Sequence, residues 1–310
     1  MSAFTRTLAA ALIAGGTTRL ARVALAESAP RPVAVWDRTN HRGETISLLE
    51  GPAVAAGLAA GSLVAGSSKA SHRVAQCVAV LGGGGFGLYD DLAEDTSVRS
   101  KGLKGHLRAL AQGTLTTGGL KILGIGATAA IAAGMSGSAR RKTTVGDFVL
   151  DSVVIAGSAN LINLLDLRPG RAFKALALPS TILALAGNGA GGAISGSAVA
   201  ALPRDLREQD MLGDCGANAL GALAGTAFVQ SAPRKVRCLG AVGIVGLTLL
   251  SEKVSFSKII ANNPTLNAID MLGRRPPEQP AQTMPTNATD NNGTAPIIDT
   301  DVSSESGSDL

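Results

Sequence analysis

Asp90 and Asp91 end an apolar stretch, "GGGGFGLYDD", and Glu94 and Asp95 follow one turn later. Adjacent carboxylates at such an edge have the chemistry to hold Mg²⁺, which takes one or two carboxylates and completes its shell with water and phosphate oxygens. Asn160, Asn163 and Asp166 recur at i, i+3 and i+6, so a helix presents all three on one face. Arg168, Arg171 and Lys174 come directly after them. Asp214 stands in "GDCGA", where Gly213 and Gly216 permit a tight turn and close backbone approach to a ligand. Acids that hold a divalent cation, beside bases that hold phosphate, are what phosphoryl transfer requires: it depends on positioning and charge neutralisation. Singly, each cluster also reads as solvated loop acids or, for the two Asn, as hydrogen bonds between helices. Gly82, Gly84 and Gly87 fit GxGxxG, but no βαβ context or P-loop lysine accompanies them, so close helix packing is the better reading.

The elements that must position these residues are apolar helices. Of 310 residues 45% are hydrophobic and only 16% charged, below the roughly 25% of a water-facing domain. The 39 glycines suit helices that approach closely inside a bilayer. Apolar runs at 3–25, 50–67, 74–89, 114–135, 145–165, 173–187, 189–202, 215–231 and 236–251 predict an all-α polytopic membrane bundle of about nine spans. The sixth and seventh runs are short enough to be one broken unit. "ALAESAP" resembles a signal-peptidase site, but Arg19 and Arg22 interrupt the run before it, so a retained first helix is expected.

Alternation puts segments 26–49, 90–113, 166–172, 203–214 and everything after 252 on one side, and the N-terminus, 68–73, 136–144 and 232–235 on the other. Lys and Arg favour the first side, which makes it cytoplasmic, against the contrary "ARRK" and "PRKVR". Every unusual polar cluster falls on that side. The basic balance (pI about 9.4) comes from these loops and sets topology, so no nucleic-acid partner is expected. Cys77, Cys215 and Cys238 are odd in number and lack metal spacing; they read as small core residues. Residues 1–275 form the membrane domain, 252–275 within it carrying apolar residues at helical spacing suited to an amphipathic surface helix. The polar run 276–310 lacks the apolar content for a core and is expected to be disordered, its "NAT" and "NGT" triplets chance matches to a glycosylation sequon.

On these residues the sequence resembles the polyprenyl-phosphate N-acetylhexosamine-1-phosphate transferase superfamily, which includes phospho-N-acetylmuramoyl-pentapeptide transferase and lipid-linked GlcNAc-1-phosphate transferases. "GLYDD" matches its Asp-Asp pair after the third helix. "GLKGHLRALAQ" is similar to its next motif, with His106 and Arg108 at the basic positions and Gln112 at the glutamine. "NLINLLDLRPG" looks like its NxxNLxDGxDGL motif at Asn160, Asn163 and Asp166, and "GDCGA" like its GDxGS at Asp214. The loop "DRTNHRGETISLLEGP" resembles its R-x-N-x-R-G segment. The motifs keep their order from about residue 15 to 250.

The resemblance implies a multi-pass protein of the bacterial inner membrane, with its active-site loops and tail in the cytoplasm. It would transfer a sugar-1-phosphate from a UDP-sugar to polyprenyl phosphate, releasing UMP, with Mg²⁺ or, in its place, Mn²⁺. Asp91 and Asp214 would bind metal or organise the diphosphate, and Asp90 would orient or deprotonate the lipid phosphate. Asn160, Asn163, Asp166, His106 and Arg108 would serve the donor. Homodimers occur in the family. The chain departs from the pattern: Pro169 stands where the family has its second motif aspartate, the late histidine-rich loop is missing, and no final span follows. A non-catalytic relative that binds lipid phosphate or scaffolds envelope proteins is therefore the alternative. A transporter needs an inverted repeat with broken helices at mid-membrane, and none is visible.

Overall fold

A computed structural model describes residues 2–28, 33–93, 105, 112–113, 116–138 and 143–276. Residues through Arg275 form one compact unit and Pro276–Leu310 a second, of which only Pro276 is described. His106, Arg108, Glu94, Asp95, "ARRK" and the polar tail lie outside the described residues.

The nine apolar runs each become a helix: α1 (Ala3–Ser28), α2 (Glu50–Ala65), α3 (Ala70–Ala93), α4 (Thr117–Ser138), α5 (Val145–Leu165), α6 (Arg171–Leu185), α7 (Gly189–Asp205), α8 (Gly213–Ser231) and α9 (Arg234–Ser251). Two short helices follow, α10 (Phe256–Asn262) and α11 (Pro264–Met271). Between α1 and α2 lies an antiparallel hairpin of β1 (Asp37–Thr39) and β2 (Thr45–Ser47), with Arg38 opposite Ile46. The expected sixth and seventh units are two separate helices, joined by a turn in which Gly187 takes φ +75°.

Among the described residues, three helices, α1, α4 and α5, are long and apolar enough to cross a membrane, and α9 with α10, bent by 94° between them, makes a fourth if the pair is one broken span. The others are shorter or less apolar, so the expectation of nine spans is met by nine helices but not by nine crossings.

At the centre runs α8, buried along nearly its whole length and packed against α2 to α7. Glycines let it be approached closely. A methyl group at Gly83 of α3 would lie 3.0 Å from the Asn218 carbonyl, and one at Gly87 would strike the carbonyl of Asp214. The glycine run before Asp90 thus serves helix packing, inside α3, and forms no phosphate loop. At the outside, α9 packs on α5 alone among its larger contacts and exposes Leu239, Val242 and Leu249.

The polar segments collect at one end of the bundle. Arg22 of α1 makes a two-pronged ion pair with Asp210, at 2.9 and 2.6 Å. The Met211 N–H donates to the Ser47 carbonyl at 2.8 Å, binding the hairpin to the α7–α8 loop. The Gly170 N–H donates to the Asp205 carboxylate at 3.0 Å. Arg275 holds Glu44 at 2.5 Å. Segments 33–49, 90–93, 166–172, 203–214 and 252–275, all assigned to one side by alternation, meet here. The opposite end has its own polar ties, among them Gln76–Gln230 at 2.7 Å and Asn188–Ser231 at 2.9 Å.

Candidate functional site

A cavity of about 560 Å³ opens at the polar end, and Asp90, Asp91, Asn160, Asn163, Asp166 and Asp214 all line it. Six site candidates separated by up to 124 positions in sequence thus share one cleft. The ends of α3 and α5 and the start of α8 bring them there.

Asp91 has a structural duty. Its two carboxylate oxygens accept the backbone N–H groups of Asp214 at 3.0 Å and Cys215 at 2.9 Å. Leu212, at the N-cap of α8, offers no side-chain acceptor. A carboxylate from α3 therefore caps α8 from outside and complements the positive end of its dipole. Gly213 makes the entry turn with φ +60°, and a side chain there would crowd Leu48 and the Asp91 carboxylate.

Asp90 and Asp214 share a cation. Lys121 of α4 places its Nζ 3.3 Å from Asp90 Oδ2 and forms an ion pair with Asp214 as well. The Lys121 side chain is only 14% exposed, against 19% for Asp90 and 29% for Asp214. The acids that end α3 thus find an opposing charge in Lys121, which the sequence reading overlooked. Its signal was a lone lysine inside an apolar run, "TGGLKILGIG"; an ionisable residue in such a place is a functional candidate by default. The basic residues expected to oppose them, 99–108, lie outside the described residues.

In the same cleft, the Asn160 amide nitrogen sits 3.5 Å from Thr248 Oγ1 of α9, and Asn163 lines the cleft one turn on. Asp166 ends α5 as its C-cap. Burial pushes its carboxyl well above the usual carboxylate range, and the like charges of Asp205, Asp214 and Asp91 add to the effect. Arg38 also lines the cleft but spends its guanidinium on backbone carbonyls, including those of Asp91 and Asp37.

A second cavity of about 430 Å³ adjoins the first, sharing Thr39, Asp166, Leu167 and Met211 with it. Arg168, Pro169, His41, Asp205 and Ser257 also line it. Arg171 and Lys174, expected beside these, are instead committed to Asp270 of α11: Arg171 reaches its carboxylate at 2.7 and 3.0 Å, and Lys174 its carbonyl at 2.6 Å.

Among the described residues, no group of three or more His, Cys, Asp or Glu side chains converges as a metal cage. Within the cleft, Asp90 and Asp214 turn carboxylate oxygens to a common cation, and their chemistry suits Mg²⁺ bound by one or two carboxylates with phosphate oxygens completing the shell. Asp91, expected as a metal ligand, has one lone pair of each oxygen taken by the α8 backbone. No protein-family model matches this chain, and no curated protein matches it in sequence.

Proposed function

We propose that the chain is a polytopic bacterial inner-membrane transferase that moves a sugar-1-phosphate from a UDP-sugar to polyprenyl phosphate and releases UMP. The observation that carries the reading is the meeting of Asp90, Asp214 and Lys121 with Asn160, Asn163 and Asp166 in one cleft. The reaction exchanges one phosphoanhydride bond for another. An oxygen of the lipid phosphate attacks the sugar-bearing phosphorus, and UMP leaves with the electron pair of the broken bond.

Asp90 and Asp214 would hold Mg²⁺, which supplies charge neutralisation on the diphosphate. Lys121 adds a second positive charge at the same point, and Asp90 orients the lipid phosphate. Asn160 and Asn163 offer amide donors to the donor substrate, with Asp166 at the junction of the two cavities. Asp91 acts by fixing the start of α8, and so the position of Asp214. The polar end of the bundle faces the cytoplasm in this reading.

Purified protein, Mg²⁺, undecaprenyl or decaprenyl phosphate and a panel of UDP-sugars provide the test, with UMP as the readout. Release with one donor, lost in Asp214→Asn, is expected. A panel that yields no UMP while the protein still binds lipid phosphate favours the second reading, a non-catalytic relative. Two observations favour that alternative: Lys121 already bridges Asp90 and Asp214 as their cation, and Pro169 stands at the second cavity where the resembled motif has an acid.

A further inference from the structure

The two helices after α9 turn themselves inside out for a protein in water. Asp270 of α11 is buried, and its carboxylate is held from the body by Arg171 and from its own chain by Arg274 at 2.8 Å. Arg171 also donates to Ser257, at the start of α10, at 2.9 Å. Charge is thus the inward face of this segment. The outward side carries Ile259, Leu266, Ile269 and Leu272, which are 43, 43, 52 and 70% exposed, with Lys258, Asn262, Asn263 and Thr265 exposed among them. Four exposed large apolar residues within positions 259–272 mark a surface with a partner.

The direction of the chain indicates which partner. α9 runs alongside α5, one of the three helices able to cross a membrane. Arg237 meets Asp147 at their starts, Gly157 lies against Ile244 midway, and Asn160 meets Thr248 near their ends. α9 therefore shares the direction of α5, and its exposed face is apolar. α10 departs from it by 94°. A helix perpendicular to a membrane-crossing one lies in the plane of the bilayer. Lys253, in the turn before α10, and Lys258 within it are exposed, and cationic side chains of this kind reach anionic headgroups.

We propose that α10 and α11 form an in-plane membrane anchor, their Ile259–Leu266–Ile269–Leu272 face seated in the headgroup–acyl boundary of an anionic bilayer and their Asp270 face clasped to the bundle. Ser257 of α10 lines the second cavity, and Ser251 and Glu252, at the end of α9, line the first, so the anchor borders the second cavity directly and the first through the turn before it. The proposal does not depend on transferase activity, and its test reads no turnover.

The full chain, with exposed Cys238 changed to Ala, takes an environment-sensitive fluorophore at Ile269→Cys and, as the aqueous reference, at Thr45→Cys on the exposed edge of the hairpin. Each protein is placed in vesicles of phosphatidylglycerol and phosphatidylethanolamine. Iodide reports access from water, and lipids with a spin label high on the acyl chain report access from the bilayer. The expected result is loss of iodide quenching at position 269 relative to 45, with strong quenching there by the lipid label. Iodide quenching equal at both positions, without lipid quenching, overturns the proposal. So does shielding from both quenchers with dye–dye self-quenching, which would put a second copy of the chain on this face.

Discussion

At the residue scale, neighbouring aspartates have been given different work. Asp91 accepts two backbone N–H groups of α8, while Asp90 faces a lysine across the cleft. Asp91→Ala removes the only side-chain cap α8 has in the described structure and is expected to cost about 1–2 kcal/mol, seen as a lower unfolding midpoint in detergent. Asp90→Asn keeps an acceptor toward Lys121; it should leave that midpoint within about 1 kcal/mol and remove UMP release. Equal loss of stability in both variants would mean that the capping role is misassigned. Lys121→Met leaves Asp90 and Asp214 facing each other without their cation. Breaking a buried pair costs about 3–5 kcal/mol, and less here because Asp214 is 29% exposed. Added Mg²⁺ is expected to restore part of that loss in a thermal-shift measurement and to do much less for the wild type. A variant indifferent to Mg²⁺ would argue against a divalent cation at this pair.

At the element scale, function depends on how closely α3 meets α8. Gly87→Ala sets a methyl group against the Asp214 carbonyl, whereas nothing lies within 4 Å of a methyl group at Gly85. Overpacking at Gly87 is expected to cost about 1–3 kcal/mol and to lower UMP release by displacing the cap. Gly85→Ala should be neutral or stabilising by about 0.5–1 kcal/mol through helix propensity, so only the Gly87 variant should lower the midpoint. The α11 clasp is the second such joint. Asp270 sits in the field of Arg171 and Arg274; burial works to raise its pKa, but the Arg171 hydrogen bond and the neighbouring charges outweigh burial and hold the carboxyl below its ordinary range. Asp270→Ala leaves the guanidinium of Arg171, itself buried, without its main partner. A loss of about 3–5 kcal/mol is expected, against a small effect of Leu272→Ser on the exposed face in detergent.

At the scale of the whole molecule, the N-terminal hairpin and the end of the folded unit close on each other through Glu44 and Arg275. The Arg275 hydrogen bond first, and then that of Asn40, bring Glu44 from 4.5 to about 2. A depressed carboxylate contributes stability that is complete above its unfolded pKa and fades as pH falls through the folded one. The Glu44 contribution should therefore vanish between about pH 4.5 and pH 2, and the stability difference between wild type and Glu44→Gln should shrink over that window. A difference that stays constant with pH would remove the pair from the account. Much of this architecture was legible in the residues. Nine apolar runs became nine helices, because burying or lipid-exposing such runs leaves the backbone no cheaper way to satisfy its own hydrogen bonds. Asn160, Asn163 and Asp166 shared a face because helical period fixes it, and loop alternation already placed the acids at one end. Arg22 was visible as an interruption of the first helix, but its partner Asp210 lies 188 positions away. Lys121 between Asp90 and Asp214, Asp91 as a cap rather than a free ligand, and Asp270 turned inward against Arg171 were likewise beyond reading. The sequence by itself determined where helices run and which residues are polar at their ends, since those follow from local period and composition. Which charge meets which was decided only by the tertiary structure, because a contact between distant helices depends on how their glycines allow them to pack.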